Sequence, residues 1–520
     1  MKNNYKKTKA KVASLLTIVL LLGYTGCNDV LDEQLYSQVA VDDFYHTQDE
    51  ANLALNGIYT RLWDDSYRDG QMISFGDVAG VTLIGGGSAN GSGDRSAINT
   101  EWNTFSWTAD ANELFTAWER FFLAINRANF LLARLEEAPI AEDAKSSISG
   151  QAKFLRALFY FNLVRIFGGV PLYVNPTTDL SETDKTRSSE EEVYSQIITD
   201  LQQAVDEMSP YSSADHASGR ATSAAATALL AKVYLQQRDW ENAAIEAKKV
   251  IDLGAFSLFD DYENVTNPDF SNGSELIFSI QHGGNANATS GLYQTRMIYL
   301  FGPPQQTTPD GLTVQFHYLK DLVIFQVRQD IFNTTPETYR KWWSMRNQMP
   351  YYYTQGLNVF VDDTVQMYAP FVVKYHHLDA GSGLLREGVD FPLIRYSDVL
   401  LTYAEALNEA NSGPTQEAYG AINLVRQRAR GASTANEQPA NVYPDLSGMN
   451  QAQFRDAILE ERRGEFIGEG HYRWDLIRHD RLISYAQQHG ISNAQNHHTL
   501  FPLPGIELSR NPNLEQNPGY

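Results

Sequence analysis

Aromatic residues interleaved with polar and charged ones carry most of the chemistry legible in this chain. Trp102, Asn103 and Trp107 follow closely on Asp94 and Arg95, Lys341 precedes Trp342 and Trp343, Tyr351, Tyr352 and Tyr353 stand together, and Tyr293, Arg296 and Tyr299 share a further segment. A sugar ring has an apolar C–H face and a rim of hydroxyls, so flat rings beside amides, carboxylates and guanidinium groups grip it without any nucleophile or shifted pKa. The candidate ligand-binding set is Trp102, Asn103, Arg95, Asp77, Tyr293, Arg296, Tyr299, Trp342 and Trp343. For each ring taken singly, packing is the competing reading. Trp107 and Trp118 border a long helix and can pack it, and of the adjacent pair Trp342 and Trp343 one is expected to be buried.

Catalytic and metal chemistry is harder to find. Glu461 and Glu465 fall on one face of a helix with Arg462 and Arg463 between them. Two carboxylates on one helix face cannot flank a sugar from opposite sides, as an inverting glycosidase requires, so they are read as partners of arginines. His376-His377 and His497-His498 have no further ligand at metal spacing. The glycines at 85–87, 91 and 93 lack the Gly-Lys-Ser/Thr ending of a phosphate loop. Asp260, Asp261, Asn264, Asn267, Asp269 and Asn272 could hold a structural calcium through oxygens, but their spacing matches no EF-hand and a solvated acidic loop is the preferred reading. No catalytic residue, metal or cofactor is assigned.

The N-terminus says where the protein resides. Lys2, Lys6, Lys7, Lys9 and Lys11 precede an apolar run from Val12 to Leu22, too short for the roughly 20 residues that span a bilayer. The pattern is that of a signal peptide, and Thr25-Gly26 lead into Cys27, the only cysteine of the 520 residues. Residues 1–26 are read as a lipoprotein leader resembling a bacterial lipobox, with Tyr24 where Leu is usual, and Cys27 as the lipid attachment point. Residues 27–42 form a polar tether and 43–520 one binding body. A lone thiol excludes an internal disulfide framework. The formal charge of −22, about −27 once the leader lysines are removed, argues against nucleic acid as a partner.

Positioning falls to helices. Apolar spacing predicts one over about 48–63, with Thr47 as N-cap and Glu50 as its capping-box partner, then others near 111–135 and 148–167, the last stopped by Gly168-Gly169. Ala231, Tyr234 and Ala243 have the small, large, small spacing of nested tetratricopeptide helices across 222–253, and 399–408 with 415–430 form a looser pair whose buried stripe is Ala418, Ile422 and Val425. Segments 68–108 and 256–392 are rich in Gly, Asn, Pro and Tyr, with short strand-like runs at 276–280 and 371–375. The fold class is mainly α: a tetratricopeptide-like helical scaffold, with helix pairs near 48–255 and 394–487, carrying an irregular, loop-rich ligand-side half.

Five landmarks in order carry a family resemblance. They are Phe44-Tyr45-His46-Thr47 with Asn56-Gly57-Ile58-Tyr59; Arg156-Ala157 with Gly168-Gly169-Val170-Pro171-Leu172; Arg395-Tyr396-Ser397-Asp398 with Ala404-Glu405-Ala406; Glu461-Arg462-Arg463-Gly464-Glu465-Phe466 with Gly470, Arg473, Asp475 and Arg478; and Pro502-Leu503-Pro504 through Asn517-Pro518-Gly519-Tyr520. Together, behind a lipobox, they resemble the SusD/RagB family of outer-membrane nutrient-binding lipoproteins of Bacteroidetes. The resemblance implies a tetratricopeptide-like fold, a lipid anchor on the outer membrane, display at the cell surface, and a SusC-like TonB-dependent transporter as partner. It implies capture of oligo- or polysaccharide at an arc built from the first-third and middle regions, and no enzymatic activity. An adaptor that binds only the transporter, a peptide or glycopeptide binder and a secreted hydrolase are the competing readings.

Overall fold

The structure, a computed structural model, describes residues 45–64, 67, 70–85, 101–179, 182–282, 300–301, 306–307, 313–314, 325–355, 358–377 and 388–520, with backbone alone at 306–307, 313–314, 349–355 and 358–369. The leader, Cys27 and the tether lie outside the described residues, as do Arg95, Tyr293, Arg296 and Tyr299.

The first helix begins where its capping chemistry dictates. In α1 (Gln48–Tyr59) the Thr47 hydroxyl accepts from the Glu50 N–H at 3.2 Å, and the Glu50 carboxylate accepts from the Thr47 and His46 N–H groups at 2.9 and 2.8 Å. The helix is shorter than its apolar spacing suggests, because a 3-10 turn at Thr60–Trp63 tightens its end. Two 26-residue helices follow, α2 (Asn112–Glu137) and α3 (Glu142–Phe167). Gly168 ends α3 at φ +75°, a conformation glycine adopts without a Cβ clash, while its N–H still donates to Val164 O at 2.9 Å.

Helix α4 (Glu190–Glu207) packs on α3, and α5 (Ser223–Gln236) pairs with α6 (Trp240–Asp252). The nested pair forms as its spacing predicts. Ala231, Ala243 and Ala247 are buried where the axes approach, and Tyr234 lies half-buried beside them. Helix α6 then packs against a helix far along the chain, α8 (Tyr396–Ala410), which carries α9 (Gln416–Ala429) and α10 (Gln451–Glu465). The helical pairs are thus contiguous in space and not in sequence. One apolar core runs through them from Ala51 to Leu514.

Strands mark the other half. β1 (Leu83–Gly85) pairs antiparallel with β3 (Phe325–Val327), and β2 (Leu276–Ile280) with β6 (Phe391–Arg395). The middle segment is less irregular than its composition suggests. β4 (Met345–Gln355) and β5 (Asn358–Val372) form a long hairpin, and the strand-like run 371–375 is its last two residues followed by a turn. Pro350, a run of three tyrosines and two register shifts hide the period-two alternation that would have revealed it.

Candidate functional site

Just before the hairpin, helix α7 (Tyr339–Ser344) shows how a chain places one aromatic ring at the surface. The Thr338 hydroxyl caps it by accepting from the Lys341 N–H at 3.1 Å. Arg340 is buried and pairs with Glu461 at 2.5 Å and Glu465 at 3.1 Å. Lys341 turns inward too, donating to Thr335 O at 3.0 Å, pairing with Glu337 and lying 4.2 Å from the Phe332 ring centroid. Its ammonium therefore flanks no surface ring, contrary to the expectation from sequence. Trp343 packs on a small cluster of Phe259, Tyr262, Val265, Leu276 and Tyr339, which removes it from the exposed set.

Trp342 remains, 48% exposed. The Arg346 guanidinium lies 4.1 Å from its ring centroid and its Nε donates to Trp342 O at 2.6 Å. A ring braced on its face in this way loses little rotamer freedom on meeting a ligand. Tyr351, Tyr352 and Tyr353 lie along the adjoining β4.

The first-third set behaves differently. Trp102 is only 1% exposed, edge-on to Phe75 and Phe501 and stacked on Trp107 at 5.4 Å. It is a core residue and not part of an exposed platform: the largest apolar side chain of its segment fills the space between the first third of the chain and its last twenty residues. Trp107 and Trp118 are buried as well. Asn103 uses its side-chain amide on backbone, accepting from the Gly85 N–H at 2.9 Å and donating to Gly85 O at 3.0 Å, so it extends β1 as a strand partner would. Asp77 is fully buried in a π-helical turn and accepts from the Gly470 N–H at 2.8 Å and the Thr82 hydroxyl at 3.1 Å. Burial pushes its carboxyl up to about 7. It latches the segment to the C-terminal motif and reaches no surface. The signal for Trp102 lay in the spacing of Trp102, Phe105 and Trp107, an apolar stripe rather than a polar cluster.

The two regions nonetheless meet. Asn103 secures Gly85, β1 pairs with β3, and β3 packs beside β5 of the hairpin that α7 introduces. Of the sequence-derived set, Trp342 alone among the described residues stands largely exposed on this edge.

Beneath it lies a buried network. Arg395 reaches Glu275 at 2.6 Å, Glu465 at 2.9 Å and Glu469 at 2.9 Å, and Arg428 joins Glu275 and Glu465. Arg426 and the Tyr443 hydroxyl complete Glu461 at 2.9 and 2.7 Å. Arg462 meets Asp398 at 2.8 Å and Asp475 at 2.9 Å, near enough to pair but off the line of its N–H bonds, while Arg478 pairs with Glu405 and Asp475. Arg428, Arg395 and Arg340 together hold the Glu465 carboxyl well below the usual range against the opposing effect of burial. Glu461 and Glu465 are thus partners of arginines, as their helix face predicts. The oxygens of the acidic loop serve as local caps: Asp261 accepts from the Glu263 N–H and the Tyr339 hydroxyl, and Asn267 from the Asp269 N–H.

Nested helix pairs around an ion-paired interior define a helical-repeat protein. Comparison with known proteins gives the family. Residues 333–520 match the SusD family model and residues 88–235 a model described as starch-binding associating with outer membrane. The chain is 31% identical to SusD-like protein P2 of Formosa agariphila over 97% of this chain and 98% of that one. It is 23% identical to the starch-binding protein SusD of Bacteroides thetaiotaomicron over 80% of each. Among solved structures, a laminarin-binding SusD-like protein superposes with a TM-score of 0.71 at 25% identity, covering 92% of this chain and all of the other. A SusD superfamily protein of Parabacteroides distasonis superposes with a TM-score of 0.74, covering 91% of this chain and 99% of that one. The chain belongs to the SusD family.

Proposed function

We propose that this protein captures an oligo- or polysaccharide at the outer membrane, where a lipid on Cys27 holds it, and delivers the glycan to a SusC-like TonB-dependent transporter without cleaving it. The observation that carries the reading is Trp342, braced by Arg346 and presented at the edge of an aromatic hairpin. A half-exposed indole held in place by a guanidinium offers an apolar surface to the C–H face of a sugar. The names of the starch-, laminarin- and surface glycan-binding relatives support the ligand class.

The test is retardation of the pure protein in gels containing members of a broad polysaccharide panel, with reducing ends assayed in parallel. Retardation by at least one glycan with no release of ends is the expected result. Trp342→Ala should weaken it about tenfold or more while shifting stability by no more than about 0.5 kcal/mol, because the ring is not in the core. Binding unchanged in Trp342→Ala removes Trp342 from the site, release of ends makes the protein a hydrolase, and uptake indifferent to every surface aromatic favours the adaptor.

A further inference from the structure

The helical half holds a cavity of its own. Helix α2, a strap contributing residues 171–177 and 183–184, and the segment 507–514 line a cavity of about 360 Å³, at the small end of the roughly 300–1,000 Å³ typical of small-molecule sites. One wall is aromatic: the Trp118 and Phe122 centroids lie 4.8 Å apart, and Phe122 meets Tyr173 edge to face at 5.8 Å. The rim is polar, with Asn126, Asp184, Glu507 and Arg510. Trp342 is not among the residues that line it.

The cavity is built before any ligand arrives. Asn129 donates to Tyr173 O and Asn175 O at 2.9 and 3.1 Å, and the Thr177 N–H donates to the Asn126 oxygen at 3.0 Å, tying the strap to α2. Asn511 donates to Lys185 O and Asn513 to Asp184 O, both at 2.8 Å, tying the strap to the C-terminal segment. Walls cross-linked in this way need little ordering when a ligand enters. With its oxygen taken by Thr177, Asn126 has its amide donors to offer, and Glu507, which accepts from Arg510 at 2.8 Å, retains further lone pairs. A lipid tail would give these polar groups no hydrogen bonds in place of the water it displaced, which is costly. An aromatic wall beside carboxylates, an amide and a guanidinium is instead complementary to the C–H face and the hydroxyl rim of a pyranose.

We infer that the cavity formed by Trp118, Phe122 and Tyr173 with Asp184, Glu507 and Arg510 is a second saccharide site, sized for one or two sugar rings. It rests on the reading of the protein as a saccharide binder but on different residues, so each can fail alone. The experiment titrates the Trp342→Ala protein calorimetrically with maltose, laminaribiose, cellobiose, xylobiose and mannobiose. Binding of at least one disaccharide is expected. Leu123→Trp, a change at a partly exposed residue lining the mouth, should abolish it, and Glu507→Gln should weaken it about tenfold, both with the circular dichroism of the parent. No disaccharide bound by folded Trp342→Ala, or binding indifferent to Leu123→Trp, overturns the second site. Polysaccharide retention lost in Trp342→Ala while Leu123-sensitive disaccharide binding persists supports both sites. Disaccharide binding without any polysaccharide retention by the unaltered protein supports the cavity and sinks the proposed function.

Discussion

Asp77 shows what a single buried carboxyl does to the pH response of the whole molecule. Its folded value of about 7 stands above the 3.8 of an unperturbed Asp, because burial outweighs the hydrogen bonds from Gly470 and Thr82. Between those values the folded chain keeps a proton that the unfolded chain has released. The stabilisation linked to that proton is complete below about pH 4 and lost as pH rises through about 7. Asp77→Asn should therefore flatten that part of the stability profile, read as urea midpoints across the interval, and parallel profiles for the two proteins would refute the assignment. Asp77 and Trp102 also show why residue chemistry was only partly legible. A polar or aromatic type in a sequence states what a group can do, but whether it faces solvent depends on what arrives from elsewhere. The partners here are Gly470 and Phe501, both hundreds of residues away, whereas Trp342 kept its surface place because its neighbours Arg340 and Lys341 turn inward.

Elements were read best where their determinants are local. The capping box of Thr47 and Glu50, the stop at Gly168 and the alanine spacing of the α5–α6 pair are written within a few residues of where they act. The β4–β5 hairpin is hidden in the sequence because its alternation is broken by Pro350 and by two register shifts. Close approach of elements gives a sharp test. A Cβ on Gly76 would come within 2.0 Å of Gly470 O, a backbone atom that cannot step aside, whereas Gly420 in α9 has open space. Gly76→Ala should prevent the 74–82 turn from docking and abolish the soluble folded protein. Gly420→Ala should raise stability by about 0.5–1 kcal/mol through the lost freedom of the unfolded chain. A Gly76→Ala protein that melts normally would show that the turn is not seated on Gly470.

At the scale of the whole molecule, ion pairs join what the helices alone would not. Arg395 at the end of β6, Glu275 before β2, Arg340 on α7, Arg428 on α9 and Glu461 and Glu465 on α10 converge from five parts of the chain, so the network binds the hairpin half to the helical half. Glu461→Gln would leave buried Arg426 without a carboxylate and Arg340 with Glu465 alone, and an unfolding cost of about 3–5 kcal/mol is expected in urea, against little change if the pairs are incidental. The family landmarks in the sequence are largely these interior residues, which is why they disclosed the fold and said little about the ligand. The tie between Trp107 and Tyr520, whose indole N–H and hydroxyl meet at 2.8 Å across a separation of 413 residues, bears on how the chain is made. While the polypeptide emerges from the ribosome, the α2–α6 helices can collapse among themselves, but Trp102 and Trp107 have no lid until residues 501–520 have joined them. Closure of that aromatic seam therefore follows the collapse of the helices that precede it.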